Sequence, residues 1–407
     1  MSFRIALSGL NAASSDLDVI SNNIANVSTT GFKKSRTEFA DIFSSAGIGA
    51  VSTAIGSGVN VSKVDQQFSQ GNIAFTDNGL DLAISGQGFF RLSDNGSTVF
   101  SRAGSFGIDR NGYVVNAQQQ RLTAYLADAN GNVTGALGDL QLNTADIAPR
   151  ASTTVDVGVN LDATATTPVA AFNATDPSTY NNSTSLTLYD SLGTSHLGTI
   201  YFRKSAANTW DTFMYVDGAQ ATPSSSGTLT FGADGSLATP AGGQVAYNPL
   251  AIGGGANSMS LTLDFSSASP STQFGSNFGV NALSQTGYAS GRLNGIDIGD
   301  TGVILARFTN GQSQTLGQVA LANFANPQGL RQLGDTTWAE SFDSGVALVG
   351  QAGTASLGLI QSGATEGSNV DLTEQLVNMI TAQRNFQANS QVIKTEDTIT
   401  QTIINIR

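Results

Sequence analysis

SNVDLTEQLVNMITAQRNFQANSQVIKTEDTITQTIINIR, residues 368–407, decides how this chain is read. Asp371-Leu-Thr-Glu374 has the form of a capping box: an acidic cap with Glu at the third helical position, both suited to the positive end of a helix. No Pro or Gly comes after it, so nothing stops a helix of about 35 residues, roughly 50 Å long. Leu372, Met379, Phe386 and Ile393 recur at seven-residue intervals. Leu376 and Ile404 lie on the neighbouring row, which Gln383, Ser390 and Asp397 interrupt. Such spacing lines apolar side chains along one seam, and a seam needs a second helix to pack on. Taken alone, the stretch also suits a long core helix of an ordinary domain.

The second seam stands at the opposite terminus. Phe3, Leu10, Leu17 and Ile24 repeat every seven residues, with Leu7 between them and Ala6, Ala13, Ile20 and Val27 on the adjoining row. Chain ends usually fray, so an apolar row that begins at residue 3 is unusual. Burying one Leu, Ile or Phe is worth about 1.5–3 kcal/mol. An antiparallel pair covers one stripe of each helix, and both helices carry wider apolar faces than that. The pair is therefore expected to be completed by other molecules. The expected packing and polymerisation residues are Phe3, Leu7, Leu10, Leu17, Ile20, Ile24, Leu372, Leu376, Met379, Phe386, Ile393 and Ile404.

Composition narrows the class. The 407 residues suit two to four domains. With a net charge of −12 and few cations, the chain is poorly suited to bind nucleic acid or an anionic membrane through charge. No apolar run is long enough to span a bilayer. The N-terminus lacks a signal peptide's continuous apolar core and cleavage site, so an exported chain is expected to leave the cell without a cleaved signal. There is no Cys, which removes disulfide and thiolate chemistry.

Between the ends the pattern becomes one of strands. The first helix is expected to fade around Asn22–Asn26 and to stop at Ser28-Thr-Thr-Gly31, where Gly31 supplies a positive φ. Lys33, Lys34 and Arg36 come next as the one dense basic cluster, read as a solvated or interface-facing turn. Residues 44–58 are rich in Gly, Ser and Ala, as a loop or arm would be. Leu80, Leu82 and Ile84 alternate with Asp81 and Ala83, a half-buried strand signal. Turns at Asp94-Asn-Gly96, Asp109-Arg-Asn-Gly112 and Asn130-Gly131 separate the short strands of this first block. A second strand block includes Leu186–Tyr189, Thr199–Phe202, Thr212–Val216 and Ser260–Phe265, and a third has Asn310-Gly311 as its clearest hairpin. The expected fold is mixed and mainly β, with nested discontinuous β domains and terminal α-helices in a coiled-coil-like inner domain. Its parts are 1–28 with 369–407 (helical), 29–71 with 358–368 (linker or arm), 72–149 with 287–357 (inner β domain) and 150–286 (inserted outer β domain).

These residues also carry a family resemblance. Leu17–Lys33, with its Ser-Asn-Asn-Ile-Ala-Asn core, resembles the N-terminal signature of the bacterial flagellar rod and hook (axial) proteins. Asn78–Phe90, Ser101–Phe106 and Asp109–Val114 look like that family's next motifs, and Ser368–Leu372 with Ala382–Ser390 resembles its C-terminal signature. Tyr189–Gly193, Thr315–Leu330 and the long middle block are similar to hook members rather than the shorter rod members. Thr365 departs from the pattern, which usually has Leu there. The resemblance implies a self-assembling, flexible helical tube outside the cell surface that passes torque from rod to filament. It further implies rod, hook-cap and hook–filament junction partners, a flagellar export apparatus, and no cofactor.

Competing chemistry finds little support. His196, the single histidine, lies in Gly193-Thr-Ser-His-Leu-Gly198 without a G-x-S-x-G elbow. It reads as a surface or strand-end residue. A Cys/His zinc site cannot be assembled, and there is no Walker-type phosphate loop. Asp128, Asn130, Asn132, Thr134 and Asp139 approach a Ca²⁺ loop, but Val133 stands where Gly is needed; a hairpin turn is the better reading. A stiff distal rod subunit, or a secreted β-rich binding protein or hydrolase, remain the alternatives. The long insert argues against the first and the terminal seams against the second.

Overall fold

The structure is a computed structural model describing residues 2–42, 56–128, 131–142, 145–224 and 226–405. It divides into two compact units: Met1–Thr144 with Gly295–Arg307 and Ser313–Arg407, and Ala145–Asn294 with Phe308–Gln312. The second interrupts the first in sequence, so the first is assembled from both ends of the chain.

The first unit carries the terminal helices, α1 (Ser2–Ala25) and α2 (Leu372–Asn405). α1 ends where expected, and Gly31 takes φ +71° in the turn beyond it. At the start of α2, Asp371 Oδ1 accepts from the Thr373 and Glu374 backbone N–H groups at 2.8 and 3.1 Å. A cap of this kind satisfies donors that the first turn leaves orphaned. After α1 come two strands with no counterpart in the expected fold, β1 (Ser35–Asp41) and β2 (Val59–Gln66), paired antiparallel. Their charged and polar composition hides a strand signal. Most of the 44–58 segment lies outside the described residues.

The β core of this unit interleaves strands from before and after the interruption. Its main sheet runs Val303–Phe308, Ser313–Asn323, Arg121–Ala127, Phe89–Asp94, Ser97–Ser101, Thr337–Ala339, Arg331–Gly334. Asn95 and Gly96, both at positive φ, turn Phe89–Asp94 into Ser97–Ser101. That is what a two-residue type I′ hairpin requires. Leu82, Ala83 and Ile84 are all buried, so this strand is covered on both faces. The alternation at 80–84 had pointed to one exposed face. Ala83 is small enough to sit under a covering layer, and alternation of size is not alternation of polarity. The core joins Leu82, Ile84, Phe90 and Leu122 to Ile304, Val319, Leu321 and Ile360. Beside it Phe68, Phe89, Phe100, Phe324 and Trp338 pack edge-to-face. Trp338 Nε1 donates to Gln66 Oε1 at 2.6 Å, tying β2 to this cluster.

The second unit is a two-sheet sandwich. One sheet runs Gln244–Ala246, Thr262–Asp264, Thr154–Asp162, Thr272–Phe274, with Gly279–Gln285 also on Thr154–Asp162. The other runs Asn182–Tyr189, Ser195–Ala206, Thr209–Val216, Thr228–Phe231, Leu237–Thr239. Strict alternation sends Trp210, Met214 and Val216 inward with Ile200 and Phe202, against Val155, Val157, Val159 and Leu263. The two inner faces thus make one core. Outward-facing Phe213 is covered by Phe172, stacked at 3.8 Å. Asn130 lies outside the described residues, and Asp139 pairs with Arg121 at 3.1 Å at the end of strand Val133–Asp139. A strand replaces the cation loop that the spacing 128–139 had raised.

Candidate assembly surface

The terminal helices reach the β core through a buried polar joint. Glu366, fully buried, accepts on Oε1 from Lys33 Nζ at 2.6 Å and from the Gly71 N–H at 2.7 Å. Its Oε2 accepts from Arg102 at 3.1 Å. Lys33 also donates to the Ser69 carbonyl, and Arg102 to that of Gly86. Arg102 lies over the Phe89 ring, 5.4 Å from its centroid. The two cations and one carboxylate bind five chain segments into one knot. Burial holds the Lys33 ammonium and the Arg102 guanidinium below their ordinary values, with Glu366 opposing that shift. Lys33 is 0% exposed and held inside the chain, so the solvated or interface-facing turn expected for 33–36 does not hold at its first residue. Lys34 is half-buried on Glu374, and Arg36 alone is well exposed. A single sequence does not show which of three neighbouring cations meets a carboxylate more than 300 residues away.

A second set of hydrogen bonds sets the helices themselves. Asn23 Nδ2 donates to the Ser35 carbonyl and to Gln375 Oε1, and Asn23 Oδ1 accepts from the Ser35 N–H. The Lys34 N–H donates to Asn369 Oδ1, while Asn369 Nδ2 donates to the Gln67 and Ser69 carbonyls. Each buried amide is satisfied by partners from separate segments, which penalises any other docking of the helices.

The pair runs antiparallel, with Asn23 at Gln375 and Gly9 at Asn389. A Cβ added at Gly9 would stand 2.6 Å from Asn389 Oδ1, so glycine permits the close approach. Gly9→Leu is expected to force the helices apart there. It would show as faster amide exchange in α1 residues 5–13, with the β units unchanged.

The twelve residues expected for inner-helix packing and polymerisation divide unevenly. Ile20 is buried; Leu10, Leu17, Ile24, Met379, Phe386 and Ile393 are half-buried. Phe3, Leu7, Leu372, Leu376 and Ile404 are exposed within the single chain, Phe3 by 50% and Ile404 by 67%. Along α2 the row next to Met379, Phe386 and Ile393 is not Leu376 and Ile404. It is Gln375, Ala382 and Asn389, of which the first two are buried. On α1, Ala6, Ala13 and Ile20 are more deeply buried than Phe3, Leu10, Leu17 and Ile24. Small and amide side chains occupy the contact because they let the backbones approach. Phe3, Leu7, Leu372, Leu376 and Ile404 are left facing out.

That leaves an apolar surface with no cover in one chain. Leu372, Leu376, Val377, Ile380, Ile399 and Ile403 are all exposed along α2. From Gln375 opposite Asn23, α1 reaches its start about level with residue 396. The last turns of α2 extend past it. A cleft of about 430 Å³ opens between α1, β1 and the first turns of α2, lined by Val19, Ile20, Phe39 and Asn378 among others. Burial at its edge raises the Asp16 carboxyl above its ordinary value. Exposed apolar area on this scale marks an interaction surface.

Comparison with known proteins meets this geometry over the whole chain. A family model for the flagella basal body rod protein matches residues 3–33, and one for the flagellar hook protein FlgE/F/G D1 domain matches 83–166. The flagellar basal body protein FlaE D2 domain matches 160–288, and the flagellar basal body rod FlgEFG protein C-terminal matches 361–406. The flagellar hook protein FlgE of Salmonella typhimurium is 41% identical over 100% of both chains, and that of Escherichia coli 40% over the same share. The chain belongs to the flagellar hook protein family. A solved hook protein, FlgE2 of Helicobacter pylori, superposes with a TM-score of 0.54 at 15% identity. It covers 71% of this chain and 99% of its own, a likeness of fold.

In this hook-family chain the N-terminal match ends at Lys33 and the C-terminal match begins just before Glu366. The two terminal modules therefore each deliver one half of the buried ion pair. Glu366, Arg102, Asn23, Gln375 and Asn369 were not among the site residues expected from sequence. Their one signal is position: Asn23, Arg102 and Asn369 lie inside the motifs that carry the resemblance.

Proposed function

We infer that this chain is a structural subunit of the bacterial flagellar hook. Copies assemble into a flexible homopolymeric tube outside the cell surface that carries torque from rod to filament. The observation that carries this reading is the uncovered apolar face of the terminal helices in a chain similar to hook proteins from end to end. Contacts between unlike patches of identical subunits propagate as an open helix when their rotation does not close into a ring. The twelve expected packing residues then act in two sets. Ile20, Leu10, Leu17, Ile24, Met379, Phe386 and Ile393 serve mainly the pair within a chain. Phe3, Leu7, Leu372, Leu376 and Ile404 serve contacts with other copies.

The role is mechanical rather than catalytic. The Glu366 joint supports stiff coupling, because it leaves the helix pair no low-cost way to swivel on the inner β domain. The parts 1–28 with 369–407, 29–71 with 358–368, 72–149 with 287–357, and 150–286 serve as helical core, arm, inner domain and outer domain. Outer domains that slide on one another would let the tube bend. Deleting 150–286 and imaging the polymer tests that, since assembly that stays equally bendable rejects sliding. Rod, hook-cap and junction proteins are the partners at the tube's ends. The flagellar export apparatus delivers the chain. No described helix is long and apolar enough to cross a membrane, and the charge balance disfavours nucleic acid.

Complementation decides between hook and rod. The gene is expected to restore swimming to a strain lacking its hook subunit and not to one lacking its distal rod subunit. Rescue of the rod strain alone would overturn the assignment. So would purified, concentrated protein that remains monomeric by electron microscopy.

A further inference from the structure

Three ionisable groups that the assembly reading does not use converge in the second unit. His196 is the second residue of the strand Ser195–Ala206 and its side chain is 11% exposed. Its Nδ1 lies 2.6 Å from Asp217 Oδ2 and its Nε2 lies 3.4 Å from Asp190 Oδ2. The two carboxylates come from different turns. Asp190 comes directly after the strand Asn182–Tyr189, and Asp217, at φ +48°, precedes Gly218 in the turn after Thr209–Val216.

Both acids are already held on their other oxygen. Asp190 Oδ1 accepts from the Leu192 and Thr194 N–H groups, and Asp217 Oδ1 from the Leu197 N–H, each at 2.8 Å. One oxygen of Asp190 thus shapes its own turn and one of Asp217 holds the neighbouring strand at Leu197, while the second oxygen of each faces the imidazole. Asp190 is buried. Among the described residues, His196 is the only cation within ion-pair distance of either acid, and these acids are the only ones so placed on His196. A neutral imidazole has one N–H and serves one carboxylate, turning a lone pair toward the other. The imidazolium donates at both nitrogens.

We propose that His196, Asp190 and Asp217 form a proton-dependent clasp, which joins the two turns at this end of the sheet when the imidazole carries both protons and releases one of them when it does not. The device is independent of the hook reading. It places a pH response in the second unit.

The electrostatics agree in sign. Burial alone would lower the His196 value, but the hydrogen bonds and charges of Asp217 and Asp190 outweigh it and leave the group raised. The His196 hydrogen bond holds the Asp217 carboxyl below its ordinary value. Asp190 is lowered as well: burial would raise it, and the Thr194 N–H, His196 and the Leu192 N–H more than offset that. A raised histidine contributes stability that is complete below its unfolded value, about 6.5. That contribution fades as pH rises through the folded value. The lowered acids contribute above about pH 3.9, and their share fades as pH falls through the folded values. The clasp is therefore strongest between about pH 4 and 6.5.

A single histidine makes the test direct, because its imidazole C–H resonances in the full chain need no assignment. The wild-type titration midpoint is expected above the ordinary imidazole value, and Asp217→Asn and Asp190→Asn should each bring it down. In a Trp338→Phe background, Trp210 fluorescence reports unfolding of the second unit. There the melting temperature should fall from pH 6 to pH 8 in the otherwise unaltered chain and stay level in His196→Gln. A midpoint at or below the ordinary value, or one unmoved by both Asn variants, would overturn the clasp. Equal losses of melting temperature with and without His196 would do the same.

Discussion

Glu366→Gln is expected to destabilise the first unit by about 3–5 kcal/mol, the cost of removing one partner from a buried ion pair. The substitution keeps size and shape but leaves Lys33 and Arg102, both buried, with no anion between them. Neither cation can reach water without opening the joint of residues 31–33, 69–71, 86 and 102. Urea unfolding tracked by Trp338, which is buried in the same unit, measures the loss. Lys33→Met should cost less, since it leaves Arg102 and Glu366 as a one-to-one pair. Glu38→Gln, which disturbs a solvated pair with Arg36, should cost about 1 kcal/mol or less. If Glu366→Gln cost no more than Glu38→Gln, the joint would be a by-product of packing and not what couples helices to sheet.

Leu376→Asp and Ile403→Asp should have the opposite profile. Both positions are exposed on α2 of the single chain, and surface changes of this kind usually move monomer stability by about 0.5 kcal/mol or less. In the polymer each position loses a buried aliphatic contact worth about 1.5–3 kcal/mol. At about 1.4 kcal/mol per tenfold change in an equilibrium constant, the critical concentration should rise by about 10- to 100-fold. A carboxylate forced into the same apolar layer adds to that. Sedimentation of assembled material against concentration reads the effect directly. Polymers that form at the wild-type concentration from both variants would remove the α2 face from the assembly surface. Phe386→Asp and Leu10→Asp probe residues that are half-buried inside the pair. Those variants should also loosen α1 on α2 in the monomer, which separates the two sets.

Much of the fold was legible because its signals are local. The Asp371 cap, the helix stop at Gly31 and the hairpins at Asn95-Gly96 and Asn310-Gly311 each depend on backbone chemistry within a few residues. The strand expected at Thr212–Val216 lies inside Thr209–Val216. The readings that failed had their cause far away in sequence. Lys33 looked solvated because its anion is Glu366. Leu82–Ile84 looked half-exposed because its second cover comes from elsewhere in the unit. The β1–β2 hairpin was missed because charged strands lie outside any apolar pattern.

The candidate surface shows the same division. Seven-residue spacing identified both helices and the row Met379, Phe386, Ile393, yet it assigned Leu376 to the contact in place of Gln375. Periodicity finds which residues share a stripe, but the stripe that meets a neighbour depends on how closely two backbones approach. Gly9 against Asn389 settles that, and neither residue is apolar.

By itself the sequence determined that this chain has two long terminal helices and a mainly β middle, with more apolar helix surface than one molecule covers. Hydrophobic period and turn chemistry are written residue by residue. Only the tertiary structure decided that a lone buried carboxylate holds two cations from distant segments, and which helix face stays open. Burial and pairing are properties of neighbours in space, and no spacing along the chain records them.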